Sequence, residues 1–192
     1  MDAFWISTGV VALAEMGDKT QLLAFVLATR FKKPIPIIIG IFVATVLNHL
    51  LAGAVGAWVS ATLHPNTLRW LLGASFIAMA IWTLIPDQID DQKPPVANRL
   101  GVFFATFVTF FLAEMGDKTQ VATVMMTVHY ADPLWVVAGT TVGMLIADVP
   151  AVFLGDRLAH KIPLKLVHSL AAALFAVLGI LTFLGVGKVV GL

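Results

Sequence analysis

The stretch Ala14-Glu15-Met16-Gly17-Asp18-Lys19-Thr20-Gln21 returns unchanged, 99 residues later, as Ala113-Glu114-Met115-Gly116-Asp117-Lys118-Thr119-Gln120. Each copy lies inside a long apolar run. A charged side chain at the centre of a membrane span costs about 2.5–3.5 kcal/mol on insertion scales. Six of them amount to a gross cost of roughly 15–20 kcal/mol before any pairing. Such groups mark a function inside the bilayer, and four carboxylates among them point to a bound cation.

The rest of the chain supports a membrane setting. It is 59% hydrophobic and 12% charged, with a mean hydropathy of +0.95. That composition excludes an ordinary soluble domain and a disordered chain. The 192 residues accommodate roughly six membrane helices of about twenty residues. Lys and Arg are scattered in loops, without the basic patch of a nucleic-acid binder. There is no Cys, so thiolate metal sites and iron–sulfur clusters are excluded. The first apolar run lacks a basic n-region and carries Glu15, Asp18 and Lys19, so it reads as a retained span.

Hydropathy and turn signals predict an all-α membrane protein with six transmembrane helices. They run from about Phe4 to Thr29, Ile35 to Ser60, Thr67 to Ile85, Leu100 to Val128, Leu134 to Gly155 and Leu164 to Gly185. The whole chain, 1–192, is expected to form one transmembrane domain. It divides into repeat one (1–86), a polar linker (87–98) and repeat two (99–192). The offset of 99 extends beyond the octapeptide. Gly40, Ala44, Asn48, Ala52 and Gly56 recur in position as Gly139, Gly143, Ala147, Ala151 and Gly155. Small residues every four positions form a smooth stripe that lets helix backbones approach in lipid. Phe76 matches Phe175, and Thr83 matches Thr182.

Three helices per unit is an odd number, so the second unit enters the membrane from the opposite side and the repeats are inverted. The loops after helices one, three and five hold Arg30, Lys32, Lys33, Lys93, Arg99, Arg157, Lys161 and Lys165, while the other side holds Arg69 and Lys188. This asymmetry predicts that both termini face away from the cytoplasm, in the periplasm if the membrane is a bacterial inner one.

On an unbroken helix, Glu15, Asp18 and Lys19 fall within one arc of about 100°, and Glu114, Asp117 and Lys118 do the same. Glu to Lys at i,i+4 is the favourable order for an ion pair. Gly17 and Gly116 loosen the helix and free backbone carbonyls. Where the two motif helices face each other, four carboxylates (−4) and two ammonium groups (+2) leave a formal charge of −2, which suits one divalent cation. Glu15, Asp18, Glu114 and Asp117 are the candidate metal ligands, with Lys19 and Lys118 balancing charge. Carboxylate, carbonyl and amide oxygens are hard ligands suited to Ca²⁺, Mg²⁺ or Mn²⁺. Gln21 and Gln120 lie at the edge of the arc as further candidates. Met16 and Met115 read either as apolar packing or as soft donors that favour Mn²⁺ over Ca²⁺. Asp148 is another intramembrane acid, with no basic residue one turn away in its helix. Its repeat equivalent is His49, beside Asn48. These three are candidates for metal binding or for carrying a coupling proton. The competing readings are buried ion pairs that only lock helices, in a structural or assembly protein, and a membrane-embedded hydrolase. No His-Glu-x-x-His, Ser/His pair or phosphate loop supports an enzyme.

Glu-x-Gly-Asp-Lys-Thr, present twice in a chain of two three-helix halves, resembles the calcium/cation antiporter-2 family. This family includes the eukaryotic Golgi calcium/manganese transporters and the bacterial MneA-like manganese exporters. The stretch from Gly143 to Arg157, which includes Asp148, is similar to the fifth-helix segment of bacterial members. The resemblance covers essentially the whole chain. It implies a secondary transporter that exports a divalent cation, Mn²⁺ first and Ca²⁺ as the alternative, in exchange for H⁺ or Na⁺. It also implies that Glu15, Asp18, Glu114 and Asp117 bind the ion, which is cargo and not a cofactor. Each motif has Met where many eukaryotic relatives have Leu, a departure that bears on selectivity.

Overall fold

The protein, seen in a computed structural model, is described over residues 1–85, 97–154 and 164–185. The described residues form eight helices: α1 (Asp2–Glu15), α2 (Lys19–Phe31), α3 (Pro34–Thr62), α4 (Pro65–Thr83), α5 (Ala97–Glu114), α6 (Lys118–Tyr130), α7 (Pro133–Leu154) and α8 (Leu164–Leu184). Most of the expected polar linker, together with Gly155, Arg157, Lys161 and Lys188, lies outside the described residues.

Three helices, over Pro34–Thr62, Pro133–Phe153 and Leu166–Leu184, are long and apolar enough to cross a membrane. The expected first and fourth helices are each interrupted at the motif, which yields α1 and α2 from one and α5 and α6 from the other. Glycine causes both interruptions. Gly17 has φ 85° and Gly116 has φ 79°, values that L-residues with a side chain rarely adopt. The chain turns within three residues, closed by Asp18 N–H to the Glu15 carbonyl at 3.0 Å and by Asp117 N–H to the Glu114 carbonyl at 3.2 Å. α1 and α2 have 14 and 13 residues, so each spans about 20 Å, short of the ~30 Å of a bilayer core.

Prolines start several of the other helices. Pro34 and Pro65 stand at the first turn, where a missing N–H costs nothing. Both α2 and α6 end on a left-handed residue, Lys32 (φ 52°) and Ala131 (φ 51°), again 99 apart.

The small-residue stripes do what their spacing predicts. Gly40, Ala44, Asn48, Ala52 and Gly56 are all buried, as are Gly139, Gly143, Ala147 and Ala151. α3 packs on α5 and α7 packs on α1, while α3 and α7 pack on each other. A Cβ at Gly40 would stand 3.0 Å from the carbonyl oxygen of Phe103, and one at Gly139 would collide with that of Phe4. These two contacts, Gly40 with Phe103 and Gly139 with Phe4, are equivalent at the offset of 99.

Apolar packing divides into two clusters on either side of the motifs. One joins Val10 of α1, Phe76 and Met79 of α4, Met126 of α6 and Phe175 of α8. The other joins Leu27 of α2, Ile37 and Ile41 of α3, Phe110 of α5 and Ala151 of α7.

Candidate metal centre

The two breaks place four acids between the clusters. Glu15 ends α1 and Glu114 ends α5, while Asp18 and Asp117 are the N-caps of α2 and α6. All four are buried, at 1%, 1%, 5% and 4% exposure respectively. Glu15, Asp18 and Asp117 each offer a carboxylate oxygen within 4.8 Å of the others. Oxygens bound to one Ca²⁺ lie about 2.3–2.6 Å from it, hence at most about 5 Å from one another. The triad therefore has the dimensions of a single hard-cation site. Glu114 lies outside the triad but within electrostatic reach of Glu15, Asp117, Asp148 and Asp18. Its Oε1 is buried without a hydrogen-bond partner among the described residues.

The breaks change the geometry expected from a continuous helix. Lys19 does not stack along a helix on Glu15; its Nζ lies 3.2 Å from Oδ2 of Asp117, in the other motif. Lys118 Nζ donates to the carbonyl of Ile85 at 3.3 Å. The positive ends of two helices also meet the acids, because α2 and α6 begin at Asp18 and Asp117. Asp117 accepts from the N–H of Lys118 at 2.7 Å, while Asp18 forms no side-chain cap bond.

Gln21 and Gln120 support the turns. The Oε1 of Gln21 accepts the N–H of Gly17 at 3.0 Å and that of Gln120 accepts the N–H of Gly116 at 2.8 Å. Gln21 also donates to the carbonyl of Ala147 at 2.9 Å, which ties the first break to α7. Asn48 donates to the carbonyl of Phe111 at 3.1 Å and leaves its Oδ1 buried and unpartnered among the described residues. Both oxygens of Asp148 and both ring nitrogens of His49 are likewise buried without a partner among the described residues. Asp148 is within electrostatic reach of Glu15. The Met16 side chain is half-buried, and Met115 is 54% exposed.

Two threonines that helical periodicity does not single out join the site. Thr20 donates to Oε2 of Glu15 at 2.8 Å, and Thr119 donates to its Oε1 at 2.7 Å. Thr119 also lies 3.4 Å from Oε2 of Glu114, so one hydroxyl links the acids of both motifs. On an unbroken helix a residue five positions on is rotated by about 140°, away from the glutamate. The glycine break turns it back. The signal was in the octapeptide, but only the broken geometry makes it legible. His168 of α8 is a second addition: its Nε2 lies 3.1 Å from the freed carbonyl of Met16.

A family model described as "Divalent cation/proton antiporter GDT1" matches residues 3–91 and 102–188. This chain belongs to that family. GDT1 membership makes it a membrane cation transporter and not an enzyme, with the divalent ion as cargo. Among similar proteins, a Vibrio cholerae protein named "Putative manganese exporter" is 50% identical over 183 residues, covering 95% of this chain and 90% of the relative. Rice "GDT1-like protein 3" is 26% identical, covering 91% of this chain and 71% of the relative. A GDT1-like protein of Synechocystis is 25% identical, covering 95% and 97%. No solved structure matches the chain.

Proposed function

We propose that this chain exports Mn²⁺ from the cytoplasm across a bacterial inner membrane in exchange for H⁺. The observation that carries the reading is the buried oxygen triad of Glu15, Asp18 and Asp117, contributed by both motifs. An acidic cluster of this kind binds either a dication or protons. Exchange follows when metal loading of these oxygens and protonation of a neighbouring carboxyl group exclude each other. Glu114 completes the ion's surroundings across Thr119, and Lys19 holds Asp117 when no ion is bound.

Asp148, with His49 as its repeat equivalent, carries the exchanged proton in this reading. Its support is a fully buried carboxyl group with no hydrogen-bond partner among the described residues, close to Glu15. The preference for Mn²⁺ is supported by the name of the Vibrio relative, and the donor set is equally suited to Ca²⁺.

The topology of the proposal has six spans. α1 with α2, and α5 with α6, each cross as a broken helix, and the two halves are inverted repeats. Discontinuous helices that meet at the midplane are the form in which transporters of this architecture bind ions. Purified protein in proteoliposomes should take up Mn²⁺ when a pH gradient is imposed. Uptake driven equally well by a Na⁺ gradient at fixed pH, or a stronger response to Ca²⁺ than to Mn²⁺, would replace the corresponding part of the proposal.

A further inference from the structure

Among the described residues, the main helix–helix contacts follow the duplication except at α4 and α8. Equivalence at 99 residues pairs α1 with α5, α2 with α6, α3 with α7 and α4 with α8. α1 on α7 and α5 on α3 obey it. α4 and α8 make their main contacts with each other, with α6 and with α1. Six of their buried apolar residues, Leu72, Phe76, Met79, Ala80, Phe175 and Leu178, belong to the cluster with α1 and α6. The cluster on α2 and α5 contains no residue of either.

The exposures record the same asymmetry. Met125 of α6 is 4% exposed, whereas its equivalent on α2, Val26, is 37% exposed. Leu13 of α1 is half-buried, whereas its equivalent Leu112 on α5 is 58% exposed. His168 covers the carbonyl of Met16, but its equivalent Arg69 lies over Trp70 at 5.6 Å and Met115 stays exposed.

We propose that α4 and α8 move as one body between two equivalent seats, α1/α6 and α2/α5, of which the first is occupied here. His168 closes the first seat on the Met16 carbonyl, and Arg69 closes the second on that of Met115. The pair is tight enough to travel together. A Cβ at Gly73 would stand 2.6 Å from the ring of Phe183, and one at Gly179 would stand 2.9 Å from Ile77. Phe76 and Phe175 stack with centroids 6.4 Å apart at its centre. In lipid, helices are held by packing and hydrogen bonds and not by exclusion of water, so exchanging one seat for its equivalent has a small net free-energy difference. The second seat presents exposed apolar side chains, Val26 and Leu112, with Arg30 at the position equivalent to His129, and the duplication makes it the counterpart of the first. The move uncovers the acids to one side and covers them from the other. Its use in transport rests on the proposed function, but its occurrence does not.

The chain has no cysteine, so introduced pairs are the only thiols. Phe76→Cys with His129→Cys tests the occupied seat, where the two rings lie 5.6 Å apart. Phe175→Cys with Arg30→Cys tests the equivalent one. In native membranes, a short irreversible bifunctional thiol reagent should cross-link both pairs, because irreversible trapping accumulates even a conformer populated at about 0.1–10%. If the second pair gives no product above the single-cysteine background while the first reacts, the α4–α8 pair is fixed and the proposal fails. Phe76 and Phe175 are fully buried, so variants that do not accumulate are replaced by Met16→Cys with His168→Cys and Met115→Cys with Arg69→Cys, scored in the same way. Cross-linking does not require transport. A protein that forms both products but carries no Mn²⁺ in proteoliposomes would refute the transport reading and leave the movement standing.

Discussion

Thr119 reaches across the molecule to Glu15: its hydroxyl donates to Oε1 at 2.7 Å, although 104 residues separate them. This bond makes the two motifs one site. A hydrogen bond to a charged group contributes about 1.5–3 kcal/mol. Thr119→Val is therefore expected to weaken Mn²⁺ binding by about 10- to 100-fold, and Thr119→Ser to restore it. Binding isotherms on purified protein measure both. An unchanged affinity in Thr119→Val would leave the threonine as packing.

The acids are expected to be individually necessary. Asp18→Asn, Asp117→Asn, Glu15→Gln and Glu114→Gln each remove one charge and keep size. Each should abolish or severely weaken transport at normal membrane abundance. Full flux through any two of these variants would return the motif to a structural role.

Asp148→Asn should separate binding from coupling. Mn²⁺ binding stays measurable, while Mn²⁺ flux no longer responds to an imposed pH gradient. Loss of binding itself would instead place Asp148 among the ion's ligands.

Gly116→Ala isolates the backbone break. A Cβ there meets nothing within 4 Å, so the penalty comes from φ 79° alone, about 1–2 kcal/mol for an L-residue. Thermal stability should fall accordingly, and transport should fall further as the turn that presents Glu114 and Asp117 straightens. Transport at the parental rate would show that the break is dispensable.

Topology can be read with single cysteines at Gln92 and Asp132. The charge asymmetry of the loops predicts opposite labelling by an impermeant reagent in intact cells. Labelling of Gln92 from outside would reverse the orientation.

The stripes at Gly40 and Gly139 were legible because packing in lipid requires small residues at fixed spacing, and both bury as expected. The acids were legible because charge is costly in an apolar run. The broken helices were only half legible. Gly17 and Gly116 signalled a loosened backbone, but a wheel drawn through them put Lys19 on Glu15 when it reaches Asp117 instead. Thr20, Thr119 and His168 were invisible for the same reason. Their roles depend on where the chain turns and on which helix comes to lie beside it, and neither follows from periodicity within one segment.

The ammonium group that Lys19 places 3.2 Å from Asp117 is a cation that cannot diffuse away. If Asp117 ligates the ion as proposed, an arriving metal ion competes with this ammonium group for the carboxylate, and part of the gain on loading is cancelled by the rupture of the ion pair. A carrier needs such moderation, since an ion held too firmly leaves too slowly. On the proposed function the lysine would be a built-in competitor that trades tightness of capture for ease of unloading. In the absence of cargo it also spares the protein a bare cluster of negative charge.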